Sequence, residues 1–417
     1  MKDKLLGYGR VAASAATGIN LVLGSLYAWS IIKSALEAEL GMDAASAALP
    51  YTLECLVFAL LMAPAGKFQD RFGPRAAASL GGLLFGSGFI VSSFCPSSAN
   101  PLLVLLLGFG VLTGAGTALG YASTTPAAVK WFPPEKHGLV IGIVVGGVGM
   151  AAVYVAPLTE FLLNSESFGL QGTFRTLGIA FSVAIILFAQ LLRNPPDQSA
   201  ANRRATNEAF CEKNSRADFC WKDMLKTPQF YLLWTMFFFG AGAGLMVISF
   251  AKSMAVGSIK EIGFALVIAL SAGNASGRVV SGLVSDKIGR IRAMLIVFVF
   301  QAATLAAMSA LSSSPAAVMA GVVLVGFNYG SCLSLFPAIT ADYFGLKNLG
   351  ANYGVLYTAW GVGAIFATVA GKIKVATGSY TPAMALAAVL CLVAAAMSLA
   401  VKPLSKPDVP EPKQRTD

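Results

Sequence analysis

Charge is what this chain has least of. Only 12% of its 417 residues are Asp, Glu, Lys or Arg, while 56% are hydrophobic; soluble domains carry about 25% charged residues. Water-exposed surface needs charge and lipid-exposed surface excludes it. The deficit therefore excludes an ordinary soluble globule and points to a bilayer, in agreement with a mean hydropathy of +0.71. Histidine is nearly missing: His137 is the single copy, beside Glu135 and Lys136 in a polar connection, and reads as a solvated loop residue. The six cysteines, at 55, 95, 211, 220, 332 and 391, form no CxxC and no metal-ligand spacing. Four of them lie in or at the end of apolar stretches, where a thiol packs as a small hydrophobe. With no His cluster, no paired intramembrane acids and no metal spacing, the expectation is a chain that is not an enzyme and uses no metal and no cofactor.

What is present is apolar length. Twelve stretches are long enough to span a bilayer at about 20 residues each, near 8–33, 46–66, 75–95, 101–129, 137–163, 172–193, 228–256, 260–284, 292–312, 316–341, 348–375 and 380–401. The net charge of +10 would suit nucleic acid in a soluble protein, but its distribution argues otherwise. Of 30 basic residues, 23 fall in the termini and the even-numbered connections, and six (Lys33, Arg175, Lys252, Lys260, Lys372, Lys374) fall on the other side. Cytoplasmic loops collect Lys and Arg. The basicity thus reports topology: a multi-pass protein of the inner or plasma membrane with both termini cytoplasmic and no nucleic-acid partner. The start of the chain runs on into a full-length span without a clean cleavage site, unlike a signal peptide.

Residues 194–227 are polar, basic and rich in Pro, Asn and Ser. They read as a linker between a half at 1–193 and a half at 228–402, with 403–417 a short Pro-rich tail. The halves repeat. Gly66, Asp70, Arg71 and Gly73 after the second span correspond to Gly282, Asp286, Lys287 and Gly289 after the eighth, at an offset of 216. Phe132, Gly138, Gly142 and Gly149 correspond to Phe344, Gly350, Gly354 and Gly361 at an offset of 212. In these loops Gly would let neighbouring helices approach, Asp could accept from a basic group or a helix N-terminus, and the pair of loops would act in a conformational switch. Parallel repeats about an axis along the membrane normal, with substrate near the midplane between halves, characterise one transporter architecture.

One cation breaks the apolar pattern. Arg278 is the sole full charge between Glu261 and Asp286. Placing it in a hydrophobic helix costs about 2.5–3.5 kcal/mol on insertion scales, so such a residue normally faces a wet cavity or a partner. It lies eight residues before Asp286, about 12 Å by helical rise and so near the middle of the bilayer. Asn274 is one turn away on the same face. An ion pair with Glu54 is the alternative to anion binding.

The duplicated Gly-x-x-x-Asp-Arg/Lys-x-Gly loops in register resemble the major facilitator superfamily over nearly the whole chain. Gly24-Ser-Leu-Tyr27-Ala-Trp29, Lys130-Trp-Phe-Pro-Pro-Glu-Lys-His-Gly138-Leu, Arg278, Leu335-Phe-Pro337 and Asn352-Tyr-Gly354 resemble its oxalate–formate antiporter and monocarboxylate transporter branch. The resemblance implies an all-α fold of twelve transmembrane helices in two six-helix pseudo-symmetric halves, functional as a monomer. It also implies that Tyr27, Tyr121 and Tyr329 line the ligand. In the oxalate–formate antiporter an arginine of the eighth span and a lysine of the eleventh clamp a dicarboxylate. By the same resemblance, that lysine falls on Trp360 here, the glutamine before the first-span tyrosine on Leu26, and a fifth-span tyrosine on about Val148. One Arg can hold one carboxylate bidentately, whereas a second carboxylate would be buried unpaired. The substrate expected is a small monocarboxylate such as lactate or pyruvate, with Trp360 an apolar wall and Asn274 touching substrate or orienting Arg278. Animal monocarboxylate transporters carry an acid one turn before the arginine. Asn274 stands there, so the proton of a symport mechanism must sit elsewhere, with Glu54 and Arg278 as candidates. Glu54 is expected nearer the extracellular end. Carboxylate exchange and a transporter-like sensor are the rival functions.

Overall fold

The computed structural model describes residues 2–132, 137–195, 219–255, 263–345 and 349–402. The central part of the linker, the tail 403–417, Cys211 and Lys260 lie outside them. Among the described residues, twelve helices are long and apolar enough to cross a bilayer. They are α1 (Gly7–Leu40), α2 (Ser46–Phe72), α3 (Pro74–Ser97), α4 (Pro101–Val129), α5 (Val140–Leu163), α6 (Gly169–Leu191), α7 (Pro228–Phe250), α8 (Phe264–Ile288), α9 (Arg290–Ala310), α10 (Pro315–Phe344), α11 (Ala351–Thr377) and α12 (Thr381–Ala400). The spans expected from the sequence fall on these twelve, with ends shifted by up to seven residues. Large apolar side chains such as Leu83, Phe161, Leu187, Leu283 and Leu399 stand exposed on the outer surface. That is the inverse of a soluble protein and the arrangement a hydrocarbon solvent requires, because helices satisfy their backbone groups internally.

The duplication is visible in the backbone. Gly73 and Gly289, each ending its loop motif, both take left-handed φ, +86° and +90°, a region L side chains avoid. Gly149 on α5 faces Ala275 of α8, and its counterpart Gly361 on α11 packs on Cys55 and Ala59 of α2. Equivalent glycines thus make equivalent crossings between halves.

Three local features position the central side chains. α1 tightens to a 3₁₀ turn over Gly24–Ala28, and a methyl at Gly24 would overlap Val148 and Ala151 of α5. Leu26 and Tyr27 of this turn line the central cavity. On α8, Gly273 and Gly277 lie against the backbone of Val323 and Phe327, while Gly326 and Gly330 of α10 lie against Leu270 and Asn274. Small residues one turn apart on both helices permit this close contact, which fixes the face of α8 that carries Arg278. The third feature is the break of α11 at Ala364, between Leu349–Gly363 and Ile365–Thr377.

The halves meet at the end opposite the termini. There Lys33 donates to Tyr380 at 2.7 Å and Ser34 lies 3.3 Å from Ser253. Tyr51 donates to the Leu245 carbonyl at 3.3 Å, Thr52 meets Thr368 at 2.9 Å, and Lys252 pairs with Glu160 at 2.6 Å. At the terminal end a methyl added to Gly66, Gly142, Gly146, Gly282 or Gly354 would meet open space. The close helix approach expected at Gly66 and Gly282 is therefore not made in this conformation. The loop residues behave unequally. Asp286 pairs with Arg290 at 2.6 Å, and Arg290 also reaches Asp342 at 3.1 Å. Asp70, Arg71 and Lys287 are exposed, Arg71 lying over the Phe72 ring at 5.2 Å.

Candidate substrate site

Where the halves face each other, a cavity holds about 530 Å³ of empty space counted out to its open mouth. Its walls come from seven helices: Leu23, Leu26 and Tyr27 of α1, Phe58 of α2, Thr117 and Tyr121 of α4, Val145 and Val148 of α5, and Arg278 of α8. Tyr329 and Leu333 of α10 and Tyr353, Tyr357 and Trp360 of α11 complete them. Both halves contribute, as the repeat requires. Arg278 is the one charged residue in this lining.

Arg278 is half-buried, turned to the cavity. Nε donates to Asn274 Oδ1 at 3.1 Å along its own helix, and Nη1 donates to the Val145 carbonyl across the interface at 3.4 Å. Among the described residues no carboxylate comes within 4.0 Å of it, so the ion pair with Glu54 does not form in this conformation. A guanidinium carries five N–H donors, and the two bonds leave an edge of the fork free to take a carboxylate bidentately. Asn274 is fully buried behind this group rather than in the wall. Its Oδ1 is bonded to Arg278 and it is not part of the lining.

Most of the remaining surface is aromatic, with Leu23, Leu26, Val145, Val148, Leu333 and Thr117 filling the gaps. Phe58 packs edge-on against Tyr121, Tyr357 and Trp360, with centroids 5.5, 5.9 and 5.4 Å away. Tyr357 stacks on Trp360 at 5.0 Å, and Tyr353 leans on Tyr357 at 5.6 Å. The Trp360 indole N–H donates to the Tyr329 hydroxyl at 2.8 Å, and Tyr27 meets the Tyr329 ring edge to face at 6.3 Å. Such rings exclude water, which strengthens any charge interaction made at Arg278.

Glu54 is 1% exposed, and Oε1 accepts a hydrogen bond from Thr117 at 2.9 Å. Thr117 itself lines the cavity, so the carboxyl stands one side chain behind the wall.

Of the residues singled out from the sequence, Leu26, Tyr27, Tyr121, Arg278, Tyr329 and Trp360 come together in the lining, and Val148 joins them. Phe58, Thr117, Tyr353 and Tyr357 were missed. Tyr353, Tyr357 and Trp360 are spaced i, i+4, i+7, one helix face, which is the signal that could have found two of them. Nothing in the sequence separates Phe58 from ordinary packing aromatics.

The family model of the Major Facilitator Superfamily matches residues 13–258 and 248–417. An uncharacterized transporter of that type from Escherichia coli (strain K12), YhjX, is 34% identical, with 82% of each chain covered. The oxalate:formate antiporter of Oxalobacter formigenes is 30% identical over 92% of this chain and 88% of its own. Monocarboxylate transporter 12 of Xenopus laevis is 27% identical over 78% of this chain and 74% of its own. Among solved structures, the inward-open xylose transporter XylE of E. coli superposes with a TM-score of 0.74 at 13% identity, covering 94% of this chain and 96% of that one. With twelve spans in two matching halves around a central cavity and these relatives, the chain is a multi-pass membrane protein that belongs to the major facilitator superfamily.

Proposed function

We propose that this protein carries small monocarboxylates, such as lactate or pyruvate, across the membrane by alternating access, with Arg278 as the carboxylate anchor. The observation that carries the reading is a single guanidinium with a free edge in a cavity otherwise walled by apolar and aromatic groups. One charge balances one carboxylate. A second carboxylate would face Trp360 and Tyr357 instead of a cation and would stay desolvated and unpaired, at a cost of several kcal/mol. The relatives that carry oxalate and formate or are named for monocarboxylates support the same substrate class.

Coupling to protons is the preferred mode, because a proton that travels with the anion lets the loaded carrier reorient without an uncompensated charge. Glu54 is the carboxyl assigned to that proton, since one hydrogen bond through Thr117 connects it to the cavity wall. The switch loops at Gly66–Gly73 and Gly282–Gly289 face the open end, where they would close as the other end parts. The charge bias of the loops puts that open end in the cytoplasm, and the carrier works as a monomer.

Uptake of lactate and pyruvate into proteoliposomes, with and without an imposed pH gradient, tests the reading. Saturable uptake that rises with an inward proton gradient and disappears in Arg278→Ala, with the variant still folded, is expected. Uptake that needs internal carboxylate and ignores the gradient would establish exchange in place of symport. Unchanged carboxylate affinity in Arg278→Ala would remove the site assignment.

A further inference from the structure

Trp360 stands where the resemblance would place a second cation, and its indole does more than line the wall. Nε1 donates to the Tyr329 hydroxyl at 2.8 Å, with both side chains buried, at 2% and 1% exposure. An indole nitrogen can only donate, so the direction of this bond is fixed. A phenol proton lies in the ring plane and has two orientations there. With the indole N–H filling one in-plane lone-pair position, the Tyr329 proton is left the other, away from α11.

The rings on either side hold this geometry. A methyl at Gly244 of α7 would overlap the Tyr329 ring, so the ring rests on that backbone. Trp360 is stacked on Tyr357 at 5.0 Å and edge-packed by Phe58 at 5.4 Å. On its far side Tyr329 has Tyr27, 6.3 Å between ring centroids, and both rings line the cavity with Arg278. The indole N–H takes one acceptor position of the Tyr329 hydroxyl, and Tyr329 lines the cavity together with Tyr27 and Arg278, so its own O–H is left to point there.

We propose that Trp360 is a positioning residue which turns the Tyr329 hydroxyl into a donor for an acceptor oxygen on C2 of the substrate, so that the cavity prefers 2-oxo and 2-hydroxy monocarboxylates over unsubstituted ones. The inference rests on Arg278 holding the carboxylate, and it adds the group that reads the adjacent carbon. A carboxylate seated on the guanidinium presents C2 to its neighbours, and that neighbour is a hydroxyl with its proton already aimed. An unsubstituted acid gives the proton no acceptor and leaves a buried donor unpaired.

The test compares pyruvate and lactate with propionate and acetate, by equilibrium binding to the purified full chain. The variant is Trp360→Phe, which keeps an aromatic wall and removes the N–H. Pyruvate and lactate affinity should fall several-fold, up to about tenfold, while propionate and acetate stay within about twofold. Tyr329→Phe should show the same selective loss, and the double variant should be no worse than Tyr329→Phe alone, since the indole acts through that hydroxyl. Equal losses for all four acids, no loss in Trp360→Phe, or additive losses in the double variant would overturn the proposal. If the unaltered chain binds pyruvate and propionate equally well, each through Arg278, this inference falls and the monocarboxylate reading stands. If no acid binds in an Arg278-dependent way, both fall.

Discussion

Arg278 spends Nε on Asn274 and Nη1 on the Val145 carbonyl, so its orientation is set before any ligand arrives. A lysine at this position would keep the charge but not the planar fork, and could not hold Asn274 and a carboxylate in the same geometry. Arg278→Lys should therefore bind monocarboxylates about 10- to 100-fold more weakly, the equivalent of roughly 1.5–3 kcal/mol for a hydrogen bond to a charged group. Isothermal titration against pyruvate would measure this. Trp360→Lys makes the opposite change by supplying a second cation in the wall where the indole now donates to Tyr329 at 2.8 Å. Oxalate binding should appear, and binding of propionate should weaken as the apolar wall is lost; a titration without oxalate uptake would count against the one-cation argument. At this scale the sequence was most legible where chemistry is expensive. A charge in an apolar helix has few tolerable surroundings, so Arg278 pointed to a cavity. Helical rise gives depth along α2 but not the face, so the turn of Glu54 towards Thr117 comes from the structure alone.

The close contact of α8 and α10 is what aims Arg278. Gly277 abuts the Phe327 carbonyl and Gly330 abuts the Asn274 carbonyl, so neither position can take a side chain without parting the helices. Gly277→Leu should lower stability by about 3 kcal/mol or more, at or beyond the upper end of ordinary overpacking because the obstacle is backbone. It should also weaken carboxylate binding by displacing the neighbouring Arg278. Thermal unfolding in detergent and ligand titration of the same sample check both effects. Helix existence was readable because bilayer length demands long uninterrupted apolar runs, and twelve such runs became twelve helices. The internal breaks were not: the 3₁₀ turn at Gly24–Ala28 and the interruption of α11 at Ala364 arise from packing against α5 and across the halves. No local propensity encodes those contacts. The shared face of Tyr353, Tyr357 and Trp360 was periodic in the sequence, but an aromatic stripe at helical spacing is usually core, and only the cavity distinguishes it.

At the end opposite the termini, polar contacts tie the two halves together. Lys33, 1% exposed and bonded to both Glu37 and Tyr380, Lys252 on Glu160, and Thr52 on Thr368 and the Ala364 carbonyl all join the first half to the second, except the Lys33–Glu37 pair within α1. A carrier that alternates must break every cross-half contact of this group while the glycine-lined open end closes. Ser34 and Ser253 offer a way to forbid the break, since their hydroxyl oxygens lie 3.3 Å apart on opposite halves and at an accessible rim. Replacing both with cysteine and oxidising should tie the two halves together at that end. Binding from the open side should survive, because the Arg278 cavity is untouched by the bond. Transport should stop and return on reduction. The combination matters: loss of binding together with transport would mean the bond had distorted the cavity. Continued transport with the bond formed would mean that this end never opens, and alternating access between these two halves would have to be abandoned.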